Sequence, residues 1–400
     1  MKTILIVAAG PLQLPLFAEA GRQGLRIVAV DGNPSAPGLA LAASGHVLPL
    51  HDYAGIRRIA EAEKIDAVSS LCTDFAVRTA AHVAEQLGLP GPAFSAACDA
   101  TDKRRMRRRF LSAGAPSIPF REVADPGAAL QAARDFGYPV ALKAPRSAGS
   151  RGVFRVGSDD ELRAFFPQAR LQEPRGRLLV ESWIDGPEVS VEGCCAGGRI
   201  HVVQITDKLL YPGPSPVEAG HTQGSRLPAP VQQAIRDCAV AGIRALHLDH
   251  CGFHAEIKIG PAGPRIIEIA ARLGGDRIAT DLTPLSTGVD LVRAVLDIAL
   301  GGTPDVAPGW TRGAAIRYFD ARRSGTLSGV RGLDGIPAMP GFERLAAGPD
   351  HGPPLEPGFP APVIRSSLDR YGYVIFSGDN ACQAAARAER AAALEFEFAA

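Results

Sequence analysis

The segment from Gly252 to Asp276, GFHAEIKIGPAGPRIIEIAARLGGD, constrains the fold more than any other part of the chain. A Gly-Pro-Ala-Gly-Pro turn signal separates two isoleucine-rich runs, which is typical of a β-hairpin. If the five-residue loop is symmetric about Ala262, residues whose numbers sum to 524 face one another. Glu256 and Glu268 obey this rule, and two carboxylates directly opposite each other repel. A positive group is therefore expected between them.

The alternation of the two strands predicts one apolar and one polar face. The apolar face would carry Phe253, Ala255, Ile257, Ile259, Ile267, Ile269 and Ala271. The polar face would carry His254, Glu256 and Lys258 opposite Ile266, Glu268, Ala270 and Arg272. One interpretation is a solvated face on which Lys258 and Arg272 neutralise the acids. The other is a divalent cation, most simply Mg²⁺, held by both carboxylates, because this ion takes one or two carboxylates plus substrate phosphates.

Length, composition and charge narrow the class of protein. With 400 residues, 46% hydrophobic and 21% charged, the chain has room for two or three packed domains. A net charge of +1 gives no global reason to expect nucleic acid or a membrane surface as partner. Seven cysteines without CxxC spacing indicate neither a disulfide framework nor a zinc site, and they favour a reducing cytoplasm.

The N-terminal hundred residues alternate predicted strands and helices. TILIVAAG and RIVAVD flank a helical stretch, which favours a small doubly wound parallel sheet; we interpret the apolar start as a strand, not as a signal peptide. The glycine fingerprint G-x-G-x-x-G is absent after Gly10, which argues against a nicotinamide-dependent oxidoreductase.

Two further stretches could bind a nucleotide. Lys143 ends a strand and precedes the small-residue loop Ser147–Gly152, whose backbone amides could wrap phosphates. Glu181 to Ile184 precede a Gly-Pro turn and could offer backbone groups to an adenine, with Glu188 near the ribose. Taken alone, the Lys143 stretch is equally compatible with a plain flexible hairpin, and the second stretch by itself favours a plain hairpin with exposed acids.

A helix is predicted from TDKRRMRRRFLSAGAP, with Thr101 as N-cap and Gly114 at its end. Because no aromatic residues are interleaved, we expect its arginines on a solvated face and not in a nucleic-acid site. Only six of the 43 basic residues are lysines, at positions 2, 64, 103, 143, 208 and 258. Four of them fall in candidate motifs, where a compact ammonium suits phosphate.

These elements, in this order, resemble the ATP-grasp superfamily. The resemblance covers TDKxxMRxxFxxAGAP, the Lys143 strand, VESWIDGPEVSVEG, FHAEIK, IIEIAARLGG and a C-terminal stretch similar to the biotin-carboxylase-like branch. It implies an α/β and α+β fold in three parts. These are an N-terminal α/β domain over residues 1–98, an ATP-grasp domain over 99–308 with a mobile lid at about 115–190, and a C-terminal α+β domain over 309–400.

The resemblance also implies roles for individual residues. ATP would be bound by Lys103, Lys143, Ser147, Gly149, Ser150, Glu181, Ser182, Ile184, Glu188 and Lys208. Glu256 and Glu268 would hold Mg²⁺, with Mn²⁺ as an alternative. Arg272, Lys258 and His221 would act on the reacting groups.

One departure from the superfamily narrows the branch. Many members have Asn two residues after the second metal-binding glutamate, but here that position is Ala270, opposite His254 under the 524 rule. The form EIAAR with HAE upstream resembles L-amino acid ligases of the bacilysin-synthetase type. In such ligases the motif that matches Lys208, Glu218 and His221 lies beside the substrate carboxyl group, and we expect His221 on a Gly-rich loop in contact with substrate.

This branch implies an ATP-dependent ligase that joins two amino acids through an aminoacyl phosphate and releases ADP. The alternatives are a biotin carboxylase-type enzyme, a purine-pathway ligase, or a nucleotide-binding protein without turnover. The partners implied are ATP and small carboxylates and amines. Dimers are frequent in the superfamily, so a homodimer is the assembly to test.

Overall fold

The computed structural model describes residues 1–146, 152–174, 176–211, 217–347, 355–364 and 366–399. The predicted Ser147, Gly149 and Ser150 lie outside the described residues. No helix in the described ranges is long and apolar enough to cross a membrane.

The N-terminal part alternates strands and helices, as predicted. Its strands are β1 (Thr3–Val7), β2 (Arg26–Asp31), β3 (Ser44–Val47) and β4 (Ala67–Ser69). Its helices are α1 (Leu14–Arg22), α2 (Pro37–Leu41), α3 (Tyr53–Ala62) and α4 (Asp74–Leu87). The strands are parallel in the order β3-β2-β1-β4. Ile4 and Ile6 pack against α1, whereas Leu5 and Val7 pack against α3 and α4, which confirms helices on both faces.

Two helices lead to the next sheet: α5 (Phe94–Ala100) and α6 (Lys103–Ala113). Gly114 ends α6 with a φ of 64°, a left-handed conformation that glycine adopts without strain, as predicted. The predicted N-cap was wrong by one residue. Asp102, not Thr101, caps α6 by accepting hydrogen bonds from the backbone of Arg104 and Arg105.

A four-stranded antiparallel sheet lies within the predicted lid segment, and we call it the lid sheet. It contains β5 (Phe120–Val123), β6 (Val140–Lys143), β7 (Val153–Val156) and β8 (Leu178–Ser182), in the order β5-β8-β6-β7. Helices α7 (Pro126–Phe136) and α8 (Asp159–Gln172) pack on it through a core that includes Ala132 and Leu162.

An antiparallel sheet of eight strands, here the central sheet, forms the middle of the molecule. Its strands are β9 (Glu188–Ala196), β10 (Arg199–Leu210), β11 (Glu218–Gln223), β12 (Cys251–Gly260), β13 (Gly263–Ala270), β14 (Gly313–Tyr318), β16 (Phe342–Ala347) and β18 (Gly372–Gly378). Between β13 and β16 the chain also forms α10 (Thr283–Thr287), α11 (Leu291–Ala299) and β15 (Gly325–Arg331), and α9 (Ala229–Ala245) precedes β12. The strand order is β13-β12-β9-β10-β11-β14-β18-β16.

The apolar face of the central sheet packs on α6 and α9. Phe253, Ile257 and Ile269 share one buried cluster with Phe110 of α6 and Ile243 of α9. The C-terminal part adds β17 (Pro360–Ala361), α12 (Ala381–Ala392) and β19 (Glu395–Phe398). The opposite, polar face of strands β9 to β13 does not pack on these two helices and is available to form a site.

Candidate active site

A single cavity is lined by both the lid sheet and the central sheet. Its lining comprises Asp74, Lys103, Ile118, Ala141, Lys143, Val153, Glu181, Ser182, Trp183, Ile184, Glu188, Lys208, Glu218, His254, Glu256, Lys258, Ile267, Glu268, Ala270 and Arg272. Every described residue that the sequence assigned to the site lies here, with the exception of His221.

The hairpin of β12 and β13 places Glu256 opposite Glu268 and His254 opposite Ala270, as predicted. The predicted five-residue symmetric loop was wrong. Gly260 pairs with Gly263, so the loop is only Pro261–Ala262, and a bulge between Glu256 and Ile257 shifts the register by one residue. The shorter loop and the bulge shift the register in opposite directions, so Glu256 still faces Glu268.

The bulge also corrects the predicted faces of the hairpin. Ile257 pairs with Ile266, and Ile266 is fully buried in the core shared with α6 and α9. Ile267, predicted on the apolar face, instead lines the cavity. An extra residue in a strand reverses the side-chain alternation beyond it, and the sequence pattern does not reveal that residue.

Lysines from outside the hairpin neutralise the two glutamates. The Lys103 ammonium lies 3.0 Å from Glu268, and the Lys208 ammonium lies 3.0 Å from Glu256 and 2.7 Å from Glu188. The diagonal neutralisation by Lys258 and Arg272 that the sequence suggested is not what is found, since Arg272 pairs with Asp74 and Lys258 approaches Glu188 at 3.9 Å.

The geometry at the glutamates suits a hard divalent cation. Their side chains are 25% and 26% exposed, and both line the cavity. Within the described residues there is no cluster of three or more His, Cys, Asp or Glu side chains arranged to hold a metal ion. Two carboxylates open to a cavity are what Mg²⁺ requires when water and substrate phosphates complete its shell, so the residues fit this ion.

Burial and nearby charge act in opposite directions on Glu256. Burial alone would raise the pKa of this carboxyl group, but the Lys208 ammonium and the His254 ring outweigh it and hold the pKa well below its usual range. Burial would likewise lower the pKa of Lys208, yet Glu188, Glu256 and Glu218 raise it well above its ordinary value. Glu256 is therefore ionised over the whole neutral range.

His254 fills the space beside Ala270. Its Nδ1 donates to Glu192 at 2.5 Å, and its Nε2 lies 3.5 Å from Glu256. Burial would lower the pKa of His254, but the Glu192 carboxylate raises it to about 9. Sequence reading did not identify Glu192, because it lies 62 residues away on β9 and is recognised only through the strand pairing.

A buried ion network lies at the lid end of the cavity. Glu181 is fully buried, accepts hydrogen bonds from Arg107 at 2.7 and 3.2 Å, and pairs with Lys143 at 2.8 Å. Burial would raise the pKa of Glu181, but Arg107 and Lys143 lower it to about 2. The expectation that the arginines of α6 are solvated is therefore wrong for Arg107, which is 0% exposed.

Lys258 and Trp183 connect the two sheets. The Lys258 ammonium lies 4.2 Å from the centre of the Trp183 ring and donates to the Ile184 carbonyl at 3.2 Å. The Arg155 guanidinium of β7 lies 5.4 Å from the same ring centre. Lys258, which was assigned a catalytic role from sequence, thus contacts the predicted adenine-binding segment.

Arg272 is held by an aspartate of the N-terminal domain. Its guanidinium donates to the Asp74 carboxylate at 2.9 and 3.1 Å. Burial would lower the pKa of Arg272, but Asp74 raises it above its ordinary value. Sequence reading did not identify Asp74. A usable signal is its position after the carboxyl end of β4, because ligand sites of parallel sheets lie at the carboxyl ends of their strands.

The placement predicted for His221 was wrong. His221 belongs to β11 and not to a loop, it is 1% exposed, and it lies outside the cavity lining. Its Nε2 lies 3.3 Å from Asp276, which also binds Arg370 at 2.8 Å. β11 pairs with a strand on each side, so its backbone is paired although its sequence, EAGHTQ, lacks apolar alternation.

Comparison with known proteins agrees with this geometry. Residues 136–281 match the ATP-grasp domain family, and residues 317–397 match the L-amino acid ligase C-terminal domain 2 family. The chain contains an ATP-grasp domain. The two matches confirm the resemblance inferred from sequence for these two parts of the chain.

The relatives that this chain resembles in sequence include ligases. Alanine–anticapsin ligase of Bacillus subtilis is 28% identical over 275 residues, covering 62% of this chain and 56% of that protein. Carnosine synthase 1 of Gallus gallus is 30% identical over 374 residues, covering 83% of this chain and 40% of that protein. The chain spans about half the length of the curated relatives it matches.

A solved structure confirms the fold. An L-amino acid ligase from Bacillus licheniformis superposes with a TM-score of 0.81 at 21% identity, covering 100% of this chain and 99% of that one.

Proposed function

We propose that this protein is an ATP-dependent carboxylate-amine ligase. It activates a carboxylate as an acyl phosphate, joins it to an amine and releases ADP and phosphate; the most favoured products are dipeptides or amides of amino acids. The observation that carries the proposal is one cavity that combines the opposed Glu256 and Glu268 with four lysines and Arg272. The occurrence of amino acid ligases among the relatives and solved structures that the chain resembles supports the same class of substrate.

The nucleotide would lie between the lid sheet and the central sheet. Lys103 and Lys143 would contact the phosphates as point charges, and the backbone of Glu181, Ser182 and Ile184 would border the adenine. Glu188 would hold the ribose. Lys208 would lie between Glu188, at 2.7 Å from its carboxylate, and the metal-binding end of the cavity.

Glu256 and Glu268 would hold Mg²⁺ or Mn²⁺. When bound, such an ion neutralises phosphate charge and orients the phosphoryl group. Lys103 and Lys208 neutralise the same carboxylates and are flexible enough to turn toward the phosphates of a nucleotide.

The reaction proceeds in two displacements. Activation is needed because a free carboxylate is a poor electrophile. A substrate carboxylate oxygen attacks the γ-phosphorus of ATP, and ADP leaves. The amine then attacks the acyl carbon, loses a proton and expels phosphate. Arg272, fixed by Asp74, would stabilise the negative charge on the acyl phosphate and on the tetrahedral intermediate. We propose that His221 does not contact the substrate and has only a structural role, because it is buried and lies outside the cavity lining.

The match of residues 317–397 to an L-amino acid ligase C-terminal domain favours this branch over the biotin carboxylase-type and purine-pathway alternatives. A turnover-deficient nucleotide-binding protein is the other alternative, and activity decides it. A homodimer and a cytoplasmic location stay predictions.

The test is ADP release from ATP and Mg²⁺ in the presence of single amino acids, pairs of amino acids, bicarbonate, or other small carboxylates. We expect release that depends on amino acids and falls about 100- to 1,000-fold in Glu268→Gln. Glu395→Gln, an exposed position on the C-terminal strand β19, is the control and should keep wild-type rates. Release driven by bicarbonate alone, or unchanged in Glu268→Gln, would contradict the proposal.

A further inference from the structure

His254 occupies the place that Ala270 leaves open beside the metal-binding glutamates. His254 pairs in register with Ala270 on one side and with Glu192 on the other. Ala270 has no polar atom on its side chain, so whatever orients Glu256 from this direction must come from His254. The imidazole spans the distance, with Nδ1 at 2.5 Å from Glu192 and Nε2 at 3.5 Å from Glu256.

Glu192 is built into the fold as a support for this ring. Its side chain is fully buried, and its second oxygen accepts a hydrogen bond from the Gly274 backbone at 3.0 Å. A Cβ at position 274 would lie 2.7 Å from both the Glu192 carboxylate and His254 Nδ1, so only glycine lets the backbone approach this closely. Both oxygens of Glu192 are therefore engaged, and the ring of His254 has one orientation available to it.

The two glutamates of the site are held differently. The Lys103 ammonium lies 3.0 Å from each of the two oxygens of Glu268, so one flexible group covers that carboxylate. Lys208 and His254 both approach the same oxygen of Glu256, Oε1, at 3.0 and 3.5 Å. The His254 ring is rigid where Lys208 is flexible, so it is the better candidate for fixing the direction of the Glu256 carboxylate.

We propose that His254 is a positioning residue for the divalent cation, held by Glu192 and acting through Nε2 on the Glu256 carboxylate. This inference rests on the proposed function, because it assumes that Glu256 and Glu268 bind the ion. Partners that orient a metal-binding side chain typically contribute about 10- to 100-fold to metal affinity. His254 would thereby orient the Glu256 carboxylate from the position opposite Ala270.

Two conservative substitutions separate the two nitrogens of the ring. The amide of His254→Asn reaches about as far as Nδ1, so it keeps the contact with Glu192 and loses the one with Glu256. The amide of His254→Gln reaches about as far as Nε2, so it keeps the contact with Glu256. We expect Mn²⁺ affinity to fall about 10- to 100-fold in His254→Asn and clearly less in His254→Gln.

The measurement is the dissociation constant of Mn²⁺ by electron paramagnetic resonance, in the presence of the non-hydrolysable ATP analogue AMPPNP, so that it does not depend on turnover. In kinetic assays the same loss should raise the KM for Mg²⁺ more than it lowers kcat. His201→Gln, a half-exposed position of β10 outside the cavity lining, is the matched control and should bind Mn²⁺ as the wild type does. The melting temperature of each variant is recorded beside the affinity.

Two results would overturn the inference and leave the proposed function standing. One is equal Mn²⁺ affinity in His254→Asn and wild type. The other is an equal loss in both variants that follows their melting temperatures, because this would indicate a structural role only. If His254→Asn does not fold, His254→Ala, which removes both contacts of the ring, takes its place in the comparison with His254→Gln, and the larger loss of affinity is expected in His254→Ala. No Mn²⁺ binding by the wild type with AMPPNP would overturn the proposed function and this inference together.

Discussion

The two ends of the cavity hold carboxylates in opposite ways. At the lid end, Glu181 is fully buried and bound by two cations, Arg107 and Lys143. At the other end, Glu256 and Glu268 are about one quarter exposed and neutralised mainly by lysines on flexible stems. An ion network without solvent contact cannot exchange partners cheaply, because each separated charge would be left desolvated. A partly solvated carboxylate can exchange a lysine for a metal ion. We therefore expect the Arg107–Glu181 pair to serve the fold and the opposed glutamates to serve ligands. Lys143 lines the cavity and can contact both Glu181 and a phosphate.

The largest expected effect comes from breaking the buried network. Glu181→Gln leaves Arg107 and Lys143 buried without their counter-charge, and we expect a loss of about 3–5 kcal/mol in the free energy of unfolding, measured by urea denaturation. Glu395→Gln removes an exposed acid paired with Arg331 and should cost less than about 1 kcal/mol. A cost for Glu181→Gln as small as that for Glu395→Gln would show that the buried network contributes little to the stability of the fold.

Glu256→Gln tests the other end. We expect turnover to fall about 100- to 1,000-fold, while the free energy of unfolding changes much less than in Glu181→Gln. The reason is that Glu256 keeps contact with solvent and that Lys208 retains Glu188 as a counter-charge at 2.7 Å. Steady-state kinetics and urea denaturation on the same preparation measure both quantities. A variant that unfolds as readily as Glu181→Gln would show that Glu256 is structural.

The acid limb of the stability profile sharpens the comparison. The folded-state pKa of Glu181, about 2, lies below its ordinary value of 4.5. Its contribution to stability is therefore complete above pH 4.5 and is lost as the pH falls toward 2. The loss should reach up to about 3 kcal/mol. Urea denaturation between pH 5 and pH 3 should show a shallower dependence in Glu181→Gln than in wild type, and parallel curves would contradict the assignment.

Ala270→Asn introduces the amide that many superfamily members carry. If an amide at position 270 can orient Glu256 in place of His254, the loss of His254 should lower Mn²⁺ affinity less once Asn is present. We expect the effects of Ala270→Asn and His254→Asn on Mn²⁺ affinity to be non-additive by about 1 kcal/mol in a double-mutant cycle. Strict additivity would mean that the two positions act independently.

The smallest expected effect concerns Trp183, which packs between Lys258 of the central sheet and Arg155 of the lid sheet. The chain has only two tryptophans, so Trp310→Phe leaves Trp183 as the single tryptophan emitter. ATP titration of that variant should change the emission as the cavity fills. Trp183→Phe should raise the KM for ATP by only a few fold, because a cation–π contact at a partly exposed site contributes about 0.5–1 kcal/mol. Unchanged emission at saturating ATP would place the nucleotide elsewhere.

Patterns local in sequence predicted much of this molecule. The alternation of the first hundred residues indicated the doubly wound sheet, and the hairpin pattern placed Glu256 opposite Glu268. That second success depended on two cancelling deviations, a shorter loop and a bulge. His221 was misplaced because a central strand with backbone pairing on both sides needs no apolar alternation to be buried.

Sequence reading missed Arg107 and Asp74, and each of them has its partner far away along the chain. Arg107 and Glu181 are 74 positions apart, and Arg272 and Asp74 are 198 positions apart. Composition and spacing report neither pair, because the charge of a residue says nothing about which opposite charge packing brings to it.

The sequence by itself determined the class of fold, the hairpin with its opposed glutamates, and the lysines near them, because strand periodicity, turn residues and motif order act over short distances. Only the tertiary structure decided which carboxylate is sealed in a buried network and which stays open to the cavity. That outcome depends on how the lid sheet, α6 and the N-terminal domain pack around the central sheet, and on the desolvation that this packing imposes on each charge.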